Sequence, residues 1–432
     1  MTRRGFAIAP AFLSSLRASS KLNVAAVGVG GVASSYLAGV DRENIIALCD
    51  VDDSYAAKMY AKYPKATRYR DYRQMLDRES SIDLVIVATP DHTHAVIAKA
   101  ALERRKHVYC AKPLTRTIHE ARTLARVARE ARVATQMSVQ TCGSEPAAAI
   151  EDYIQAGLIG QVEEAHVWTT RPVWPQGGTR PADRPAPPRD LDWDLWLGPA
   201  PARAYHPAYH PFVWRGWRDF GTGALGDMAC HAFHIVAKAL HLGEPTLVHA
   251  HASYSVGLGA EPGSKLFWAK SHYIDASEMY PHATHITWDF ANVRMHWYDG
   301  GLKPVRPRAL PLDQNMPNEG LLFTGSDGML LAGFTGEKPR LLRRTLEPLD
   351  TPSRQAQRSR GHYGELPAAI RGGPAPMCEF QFGARITEWA LLGNIAARVG
   401  QPLAWDAAAG RITNHAKANE WIQEPARSGW EV

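Results

Sequence analysis

A lysine and an aspartate–histidine pair are the side chains of this sequence whose types and positions could carry acid–base chemistry. Lys112 follows the apolar run 107–110 and is fixed by Pro113. Desolvation and a nearby cation would lower the pKa of its amine, which could then hydrogen-bond or deprotonate a hydroxyl. Asp227 and His231 stand four residues apart, so one helix face presents both and the acid can orient the histidine and raise its basicity. A core Asp–His pair is the alternative. No third ligand accompanies the pair, so no metal is predicted.

A glycine-rich turn between two apolar runs indicates a nucleotide site. Residues 22–27 are predicted to form a buried strand, the glycines after it allow a tight turn, and a helix over 32–39 directs its positive end at a pyrophosphate. Asp50 ends the next strand, 44–49, and lies 22 residues after Gly28, where a carboxylate accepts the ribose hydroxyls of NAD. The predicted cofactor is NAD, and the predicted contacts here are Gly28, Gly30, Gly31, Val32 and Asp50.

A second group of polar residues follows the apolar strand 84–88. The segment 89–94 reads Thr-Pro-Asp-His-Thr-His and lies at the carboxyl edge of the predicted sheet, where ligands bind. A plain helix entry explains the proline and the aspartate but not two histidines. We therefore predict that Thr89, Pro90, His92 and His94 contact the cofactor on the side of the nicotinamide ribose, together with Lys112.

The substrate side is predicted from a segment rich in proline and tryptophan. Residues 174–217 precede the small-residue entry to the helix that carries Asp227, and tryptophan faces stack on sugar rings. Trp214 and Trp217 are the favoured pocket residues, whereas Trp193 and Trp196 could equally fill a core. The predicted substrate contacts are Trp214, Arg215, Asp227 and His231.

The alternation of apolar runs and amphipathic segments indicates an α/β fold with two domains. Residues 21–142 predict a Rossmann domain with a doubly wound parallel sheet, and residues 143–432 predict a C-terminal α/β domain with a large, mainly antiparallel open sheet. The final helices of that second domain are expected to pack back on the first. The predicted strands are 22–27, 44–49, 84–88, 107–110, 133–138, 162–170, 246–257, 265–275, 283–289, 292–298 and 319–334. The predicted helices are 32–39, 53–62, 72–77, 93–103, 117–130, 144–156, 223–240, 380–399 and 408–422.

Composition excludes several classes of function. The net charge of +6 comes from scattered basic residues, so no nucleic-acid surface is predicted. No apolar run approaches the length of a membrane span, and the five cysteines show no paired spacing, so they are interpreted as reduced packing residues. Residues 1–20 hold twin arginines, a short apolar stretch and small residues, which predicts a Tat signal and a periplasmic location; a basic arm and a cytoplasmic location are the alternative.

The three chemistry-bearing segments, in this order, resemble the Gfo/Idh/MocA oxidoreductases, the family of glucose–fructose oxidoreductase and inositol dehydrogenase. The resemblance implies hydride transfer between NAD(P) and a sugar or cyclitol hydroxyl, and a homo-oligomer formed through the C-terminal sheet. It assigns the family lysine to Lys112, the Asp–His pair to Asp227 and His231, and a nicotinamide-side contact to Gln140. The family's usual Glu-Lys-Pro is Ala-Lys-Pro here, beginning at Ala111.

Three functions fit these residues. The first is an NAD-dependent oxidoreductase acting on a ring hydroxyl of a sugar, glycoside or cyclitol. The second is a glycoside hydrolase that oxidises C3 transiently, eliminates the C1 substituent and retains its NAD. The third is a non-catalytic sugar or nucleotide sensor, against which the joint presence of Lys112, Asp227 and His231 argues.

Overall fold

The computed structural model describes residues 21–254, 256–258, 271–273, 277–343 and 353–432. The proposed Tat segment, residues 1–20, lies outside them. No helix within these ranges is long and apolar enough to cross a bilayer.

Six parallel strands form the first sheet, in the order β3-β2-β1-β4-β5-β6. The order reverses between β1 and β4, which is the point where doubly wound sheets bind dinucleotides. The short third strand was not expected from the sequence, because its three residues are exposed or half-buried and carry no apolar pattern. The strands are β1 (Asn23–Val27), β2 (Asn44–Cys49), β3 (Thr67–Tyr69), β4 (Leu84–Val87), β5 (His107–Cys110) and β6 (Thr135–Met137).

The helices between these strands follow the predicted pattern. The fifth is the most amphipathic: Thr117 caps it through a reciprocal pair of hydrogen bonds with Glu120, and its apolar residues are buried. The helices are α1 (Ala33–Gly39), α2 (Asp53–Lys62), α3 (Tyr72–Arg78), α4 (Asp91–Glu103) and α5 (Ile118–Ala131).

The second sheet has nine strands, in the order β15-β14-β13-β7-β12-β11-β8-β16-β17, and is mixed. The β7–β12 pair is parallel, and the other pairs are antiparallel. A separate hairpin pairs β9 with β10. The strands are β7 (Val162–Trp168), β8 (Leu247–Ser253), β9 (Val256–Leu258), β10 (Ser271–Tyr273), β11 (Ala283–Asp289), β12 (Arg294–Tyr298), β13 (Gly320–Gly325), β14 (Gly328–Gly333), β15 (Arg340–Arg343), β16 (Leu403–Asp406) and β17 (Arg411–Ile412).

Two long helices cover one face of the mixed sheet. Phe233 of α8 meets Trp288 and Trp297 edge-to-face, and the Trp288 indole donates to the Trp389 carbonyl of α10 at 3.0 Å. These large side chains are fully buried and hold the helices on the sheet. The helices are α6 (Glu145–Gln155), α7 (Trp193–Leu197), α8 (Gly223–Ala239), α9 (His362–Ile370) and α10 (Phe380–Val399), with 3₁₀ turns at Val213–Gly216 and Ala416–Trp421.

Three sequence predictions are corrected by these elements. Residues 408–422 are not a helix: Gly410 turns with φ +66°, so β16 pairs with β17, and only a 3₁₀ turn follows. Residues 319–334 are two strands joined in a hairpin rather than one strand. Helix α9 was not predicted, since Pro367 lies inside it and glycines flank it. Of the predicted strand 265–275, only β10 lies within the described residues.

The five cysteines are buried, and none forms a disulfide. This confirms their interpretation as reduced packing residues.

Candidate active site

A cavity of about 550 Å³ opens where the order of the parallel strands reverses. Its volume is in the range of sites for small molecules and cofactors. Residues that follow β1, β2, β4 and β5 form one side, the segment 195–215 and Asp227 form the other, and Trp430 near the carboxyl terminus completes the wall. Predicted nucleotide contacts therefore share one cleft with two of the predicted acid–base residues, Lys112 and Asp227.

The glycine turn has two positions that admit no side chain. Gly28 has φ +81°, and a Cβ there would lie 2.7 Å from the Thr89 backbone nitrogen. At Gly30 a Cβ would enter the ring of Tyr55, while Gly31 faces more open space. Val32 follows at the start of α1, where no side chain caps the helix. Backbone donors at this end are therefore available to an anion.

Asp50 lies behind this turn and is buried. One carboxylate oxygen accepts the Gly30 N–H at 3.0 Å, and the other accepts the Asp52 N–H at 3.0 Å. Burial raises the pKa of Asp50, although these backbone donors act against the shift. Each oxygen keeps a lone pair for a further donor, so the carboxylate can still bind ribose hydroxyls.

The two histidines of segment 89–94 hold loops together. His92 is fully buried, with its ring nitrogens 3.2 Å from the Phe220 carbonyl oxygen and 2.9 Å from that of Trp196. It does not line the cavity, so its predicted ribose contact is wrong: the ring joins α4 to the substrate-side segment instead. Burial lowers the pKa of His92 to about 3.

His94 borders the cavity but has no exposed surface. Its nitrogens lie 2.9 Å from the Pro113 oxygen and 2.8 Å from the Thr89 oxygen, so neither is left for a ribose hydroxyl. The ring instead joins the two loops that carry Thr89 and Lys112. Thr89 and Pro90 do line the cavity, and the Thr89 hydroxyl is buried without a partner among the described residues.

Lys112, Asp227 and Arg215 form a charged cluster in the cleft. The Lys112 ammonium donates to the Asp227 carboxylate at 2.9 Å and to the Asp227 carbonyl at 2.6 Å. Arg215 Nε donates to the same carboxylate oxygen at 3.2 Å. Burial alone would raise the pKa of Asp227, but these two cations outweigh burial and lower it to about 2. Asp227 is therefore ionised at neutral pH.

His231 departs from the expectation. Asp227 makes its hydrogen bonds with Lys112 and Arg215, and the His231 ring has no hydrogen-bond partner within the described ranges. Burial and the Lys112 charge lower the pKa of His231 to about 3, although Asp227 acts against them. Asp227 therefore does not orient this histidine through a hydrogen bond, and burial outweighs the predicted rise that Asp227 causes in the His231 pKa. The half-buried ring lies one turn beyond Asp227 and outside the cavity wall.

Asp91 is a cleft residue that the sequence prediction treated only as a possible helix cap. It is buried, lines the cavity and accepts the Thr222 hydroxyl at 2.6 Å. Burial raises the pKa of Asp91 to about 7, although the Thr222 hydrogen bond and the nearby cations Arg215 and Lys112 act to lower it. The sequence feature that could have placed Asp91 in the cleft is its position at the same edge of the sheet as Thr89.

The substrate-side wall agrees with part of the tryptophan prediction. Trp214 lines the cavity, and the Arg215 guanidinium lies 4.3 Å from the centre of its ring. Trp196 also lines the cavity. Trp217 does not line the cavity: it is buried in the apolar cluster that also contains Trp196 and Trp214, and its indole donates to the Ala208 carbonyl at 2.7 Å. The favoured pocket role of Trp217 is therefore wrong, since its ring fills a core.

Two contacts enclose the nucleotide half of the cleft. His210 Nε2 lies 2.8 Å from the Asp52 carboxylate, and the His210 ring meets the Tyr55 ring edge-on. Trp430 lies beside Tyr72 with the Arg73 guanidinium 4.4 Å from its ring centre.

Gln140 does not line the cavity. Its interaction lowers the pKa of the Tyr36 hydroxyl, against the larger effect of burial, and Tyr36 is a lining residue. Gln140 therefore stands one side chain behind the cavity wall.

Comparison with known protein families agrees with this architecture. Residues 22–139 match the Gfo/Idh/MocA model described as "Oxidoreductase family, NAD-binding Rossmann fold". Residues 150–251 match the model of the same family's C-terminal alpha/beta domain. The chain belongs to the Gfo/Idh/MocA oxidoreductase family. The predictions of the family, of the fold class and of NAD as cofactor are confirmed.

Individual relatives within the family are distant. A levoglucosan dehydrogenase of Pseudarthrobacter phenanthrenivorans is 27% identical over 205 residues, which cover 47% of this chain and 44% of the relative. An inositol 2-dehydrogenase of Salmonella typhimurium is 26% identical over 151 residues, 34% of this chain and 45% of the relative. The chain thus spans less than half the length of these curated relatives.

Solved structures share the fold over nearly the whole chain. The WlbA dehydrogenase from Bordetella pertussis, in complex with NADH and UDP-GlcNAcA, superposes with a TM-score of 0.61 at 17% identity and covers 89% of this chain and 99% of its own. A levoglucosan dehydrogenase in complex with NADH and L-sorbose gives a TM-score of 0.57 at 18% identity, with the same coverage.

The residues present fit NAD. The N–H groups of Gly28 and Gly30 already donate to Cys49 and Asp50, but no side chain caps α1 at Val32, so backbone donors at that helix end are open to a pyrophosphate. Asp50 retains acceptor capacity for a ribose. The Thr89 hydroxyl is buried and unpartnered in the same cavity, as expected for a group that bonds to a ligand.

Proposed function

We propose that this protein is an NAD-dependent dehydrogenase that oxidises a ring hydroxyl of a sugar, glycoside or cyclitol. One observation carries the proposal: the Lys112–Asp227–Arg215 cluster lies in the same cavity as the glycine turn and Asp50. The relatives whose names include levoglucosan and inositol dehydrogenase support this substrate class.

Lys112 is the proposed acceptor of the hydroxyl proton. Two donors of its ammonium are taken by Asp227, so one N–H is left to hold a substrate oxygen. In the amine form the same nitrogen takes the hydroxyl proton, and the ionised Asp227 stabilises the ammonium that results. Bound NAD⁺ supplies the hydride acceptor.

Arg215 and Trp214 are proposed to position the sugar ring. The Arg215 side chain is 21% exposed and keeps guanidinium donors free of Asp227, while the Trp214 face offers an apolar surface to ring C–H groups. His231 is neutral at neutral pH and offers one donor and one acceptor. Because His231 lies outside the cavity wall, we assign it a hydrogen bond only to a substrate large enough to reach past Asp227.

A panel assay tests this function. Purified protein is mixed with NAD⁺ and, in turn, with aldoses, an anhydrosugar, alkyl glycosides and inositols, and NADH absorbance is followed. We expect NADH with at least one member of the panel. Tight NAD binding with neither NADH formation nor glycoside hydrolysis across the panel would overturn the dehydrogenase and favour the sensor.

A glycoside hydrolase that retains its NAD is the second candidate. The His210–Asp52 contact and Trp430 flank the nucleotide half of the cleft from two distant parts of the chain, which favours slow release of a bound nucleotide. If NAD stays with the protein through gel filtration and an alkyl glycoside is hydrolysed without net NADH, this candidate replaces the first. If NAD exchanges freely, it is excluded.

Two further expectations remain proposals. Twin arginines in residues 1–20 support Tat export to the periplasm. Family membership supports a homo-oligomer formed through the mixed sheet. Detection of the processed chain in a periplasmic fraction, and the mass of the purified particle by light scattering, test the two separately.

A further inference from the structure

The face of the mixed sheet that points away from α8 and α10 carries a cluster of histidines. On the core side the central strands present Ala165, Met295 and Ile286, all buried. Because side chains alternate along a strand, the intervening residues point to the other face. His166 of β7 lies directly across from His296 of β12, and His296 lies across from Thr287 of β11.

Three side chains of this cluster converge on one point. His166 Nε2 lies 3.2 Å from one Glu164 carboxylate oxygen, and His296 Nε2 lies 4.0 Å from the other. All three candidate ligand atoms are within 4.8 Å of one another. Ligands around a tetrahedral zinc ion, with bonds of about 2.0–2.1 Å, are about 3.3 Å apart. Small side-chain rotations would therefore bring these atoms to coordination distance.

Neighbouring groups hold the other nitrogen of each ring. His166 Nδ1 lies 3.3 Å from the Tyr298 hydroxyl, and His296 Nδ1 lies 3.2 Å from the Thr287 hydroxyl. Partners on Nδ1 fix the ring orientation and leave Nε2 as the ligand atom, as is usual in metal sites. His296 Nε2 is buried and has no hydrogen-bond partner in the part of the chain that the structure describes.

We propose that Glu164, His166 and His296 bind a divalent transition-metal ion of the zinc class. Two imidazole nitrogens and a carboxylate oxygen form a donor set that zinc, cobalt and nickel prefer over calcium or magnesium. Three ligands leave one position of a tetrahedral zinc site for a further donor. The prediction of no metal rested on the spacing around Asp227, and these ligands come from strands far apart in sequence.

The electrostatics of the cluster favour a bound cation. The Glu164 carboxylate faces both imidazole rings, so an ion bound between them would have one anionic ligand beside two nitrogen ligands. A divalent ion would neutralise the Glu164 carboxylate and provide a partner for the orphaned His296 nitrogen.

Direct metal binding tests the proposal. Untagged protein is stripped of metal with a chelator and titrated with Co²⁺ and with Zn²⁺. Cobalt binding is measured by the visible absorption bands of low-symmetry Co²⁺, and binding of both ions is measured by calorimetry. We expect one ion per chain. Glu164→Gln and His296→Gln should each weaken binding by more than the roughly 10- to 100-fold that outer-shell changes cost.

Two control variants make the test specific. Glu163→Gln changes the adjacent, exposed acid, and His249→Ala changes a histidine of the same face outside the triad. Both should bind metal like the wild type. The proposal is overturned if the wild type binds no ion at micromolar Co²⁺ or Zn²⁺, or if the triad variants bind as tightly as the controls. Binding is measured without substrate, so the result does not depend on the proposed dehydrogenase activity.

Discussion

Asp227 and Asp91 are two carboxyl groups of one cleft whose surroundings act in opposite directions. Lys112 and Arg215 lower the pKa of Asp227 to about 2 despite its burial, whereas burial raises that of Asp91 to about 7 despite the same cations. Separation of two acids in this way is typical of sites that transfer protons. At neutral pH Asp227 thus carries a fixed negative charge, and Asp91 is near its titration point.

The sequence identified one of these acids and missed the function of the other. Asp227 and Lys112 were found because a helix spacing and a strand end are local patterns. The hydrogen-bond donor to the buried Asp91 carboxyl is Thr222, which lies 131 residues later in the chain. No local pattern records such a contact, and for the same reason the pairing of Asp227 with Lys112 instead of His231 was not foreseen.

Asp91→Asn should change how stability depends on pH. The native state of the wild type holds an extra proton on Asp91 between its ordinary pKa near 4 and its raised value of about 7. The free energy of unfolding of the wild type therefore falls as pH rises through that window, by an amount on the order of 3 kcal/mol. The variant should not show this decrease. Urea unfolding at pH 5 and pH 8 measures it. Asp77→Asn, an exposed control, should follow the wild type; equal slopes in all three proteins would contradict the shift.

Asp50→Ala should narrow the preference for NAD over NADP. The buried carboxylate would repel a 2′-phosphate, and Arg70, which also lines the cavity, is held by Asp53 and by the Asp190 carbonyl. We expect the ratio of the two dissociation constants to fall by about 10-fold or more, which corresponds to about 1.4 kcal/mol. Fluorescence titration with both nucleotides gives the ratio. Tighter binding of NADP than NAD by the wild type would refute the assignment.

At the scale of elements, strands with clear periodicity were predicted almost to the residue, and irregular ones were not. The runs before Gly28 and Asp50 are continuous and apolar because both faces of the parallel sheet are covered. Residues 408–422 are rich in alanine and resemble a helix in composition, but Trp405 pairs with Ile412 across a glycine turn. Tertiary pairing overrides helix propensity there.

His94→Ala should weaken the contact between the loop before α4 and the loop after β5, without a direct effect on the proposed hydride transfer. Burial lowers the pKa of His94, so the neutral ring donates to one of the two carbonyls, of Thr89 or Pro113, and the loss of that hydrogen bond costs about 1–3 kcal/mol. We expect the melting temperature to fall by several degrees. The exposed His282→Ala is the control. An unchanged melting temperature would show that the ring does not hold these loops.

Across the whole molecule, the carboxyl-terminal segment reaches back to the nucleotide site. Glu424 pairs with Arg116 and Arg427 with Asp194, and Trp430 then enters the cavity wall. The sequence predicted only that the end of the second domain packs back on the first. Its destination beside Tyr72 depends on the assembly of the entire chain and left no local signal.

Trp430→Ala should weaken NAD binding more than it affects stability. The ring completes the wall of the cavity, so its removal opens the site to solvent and takes away an aromatic surface worth about 1 kcal/mol. We expect the dissociation constant of NAD to rise by roughly 5- to 10-fold. Trp421→Ala removes a half-buried tryptophan of the same segment that does not line the cavity, and it should bind NAD normally. Equal effects of the two variants would argue against a contact with the nucleotide.

The most direct test of the proposed site compares the rates at which wild type and Lys112→Met convert bound NAD⁺ to NADH when substrate is added. Wild type and variant are loaded with NAD⁺ and mixed rapidly with a substrate found in the panel assay, and the NADH band is followed. The control is Lys106→Met, which changes a half-buried lysine that does not line the cleft. If Lys112 takes the hydroxyl proton, the variant binds NAD⁺ with nearly unchanged affinity while its rate of reduction falls by roughly 100-fold or more. Reduction at the wild-type rate in Lys112→Met would contradict the assignment of this cleft as the site of hydride transfer assisted by Lys112.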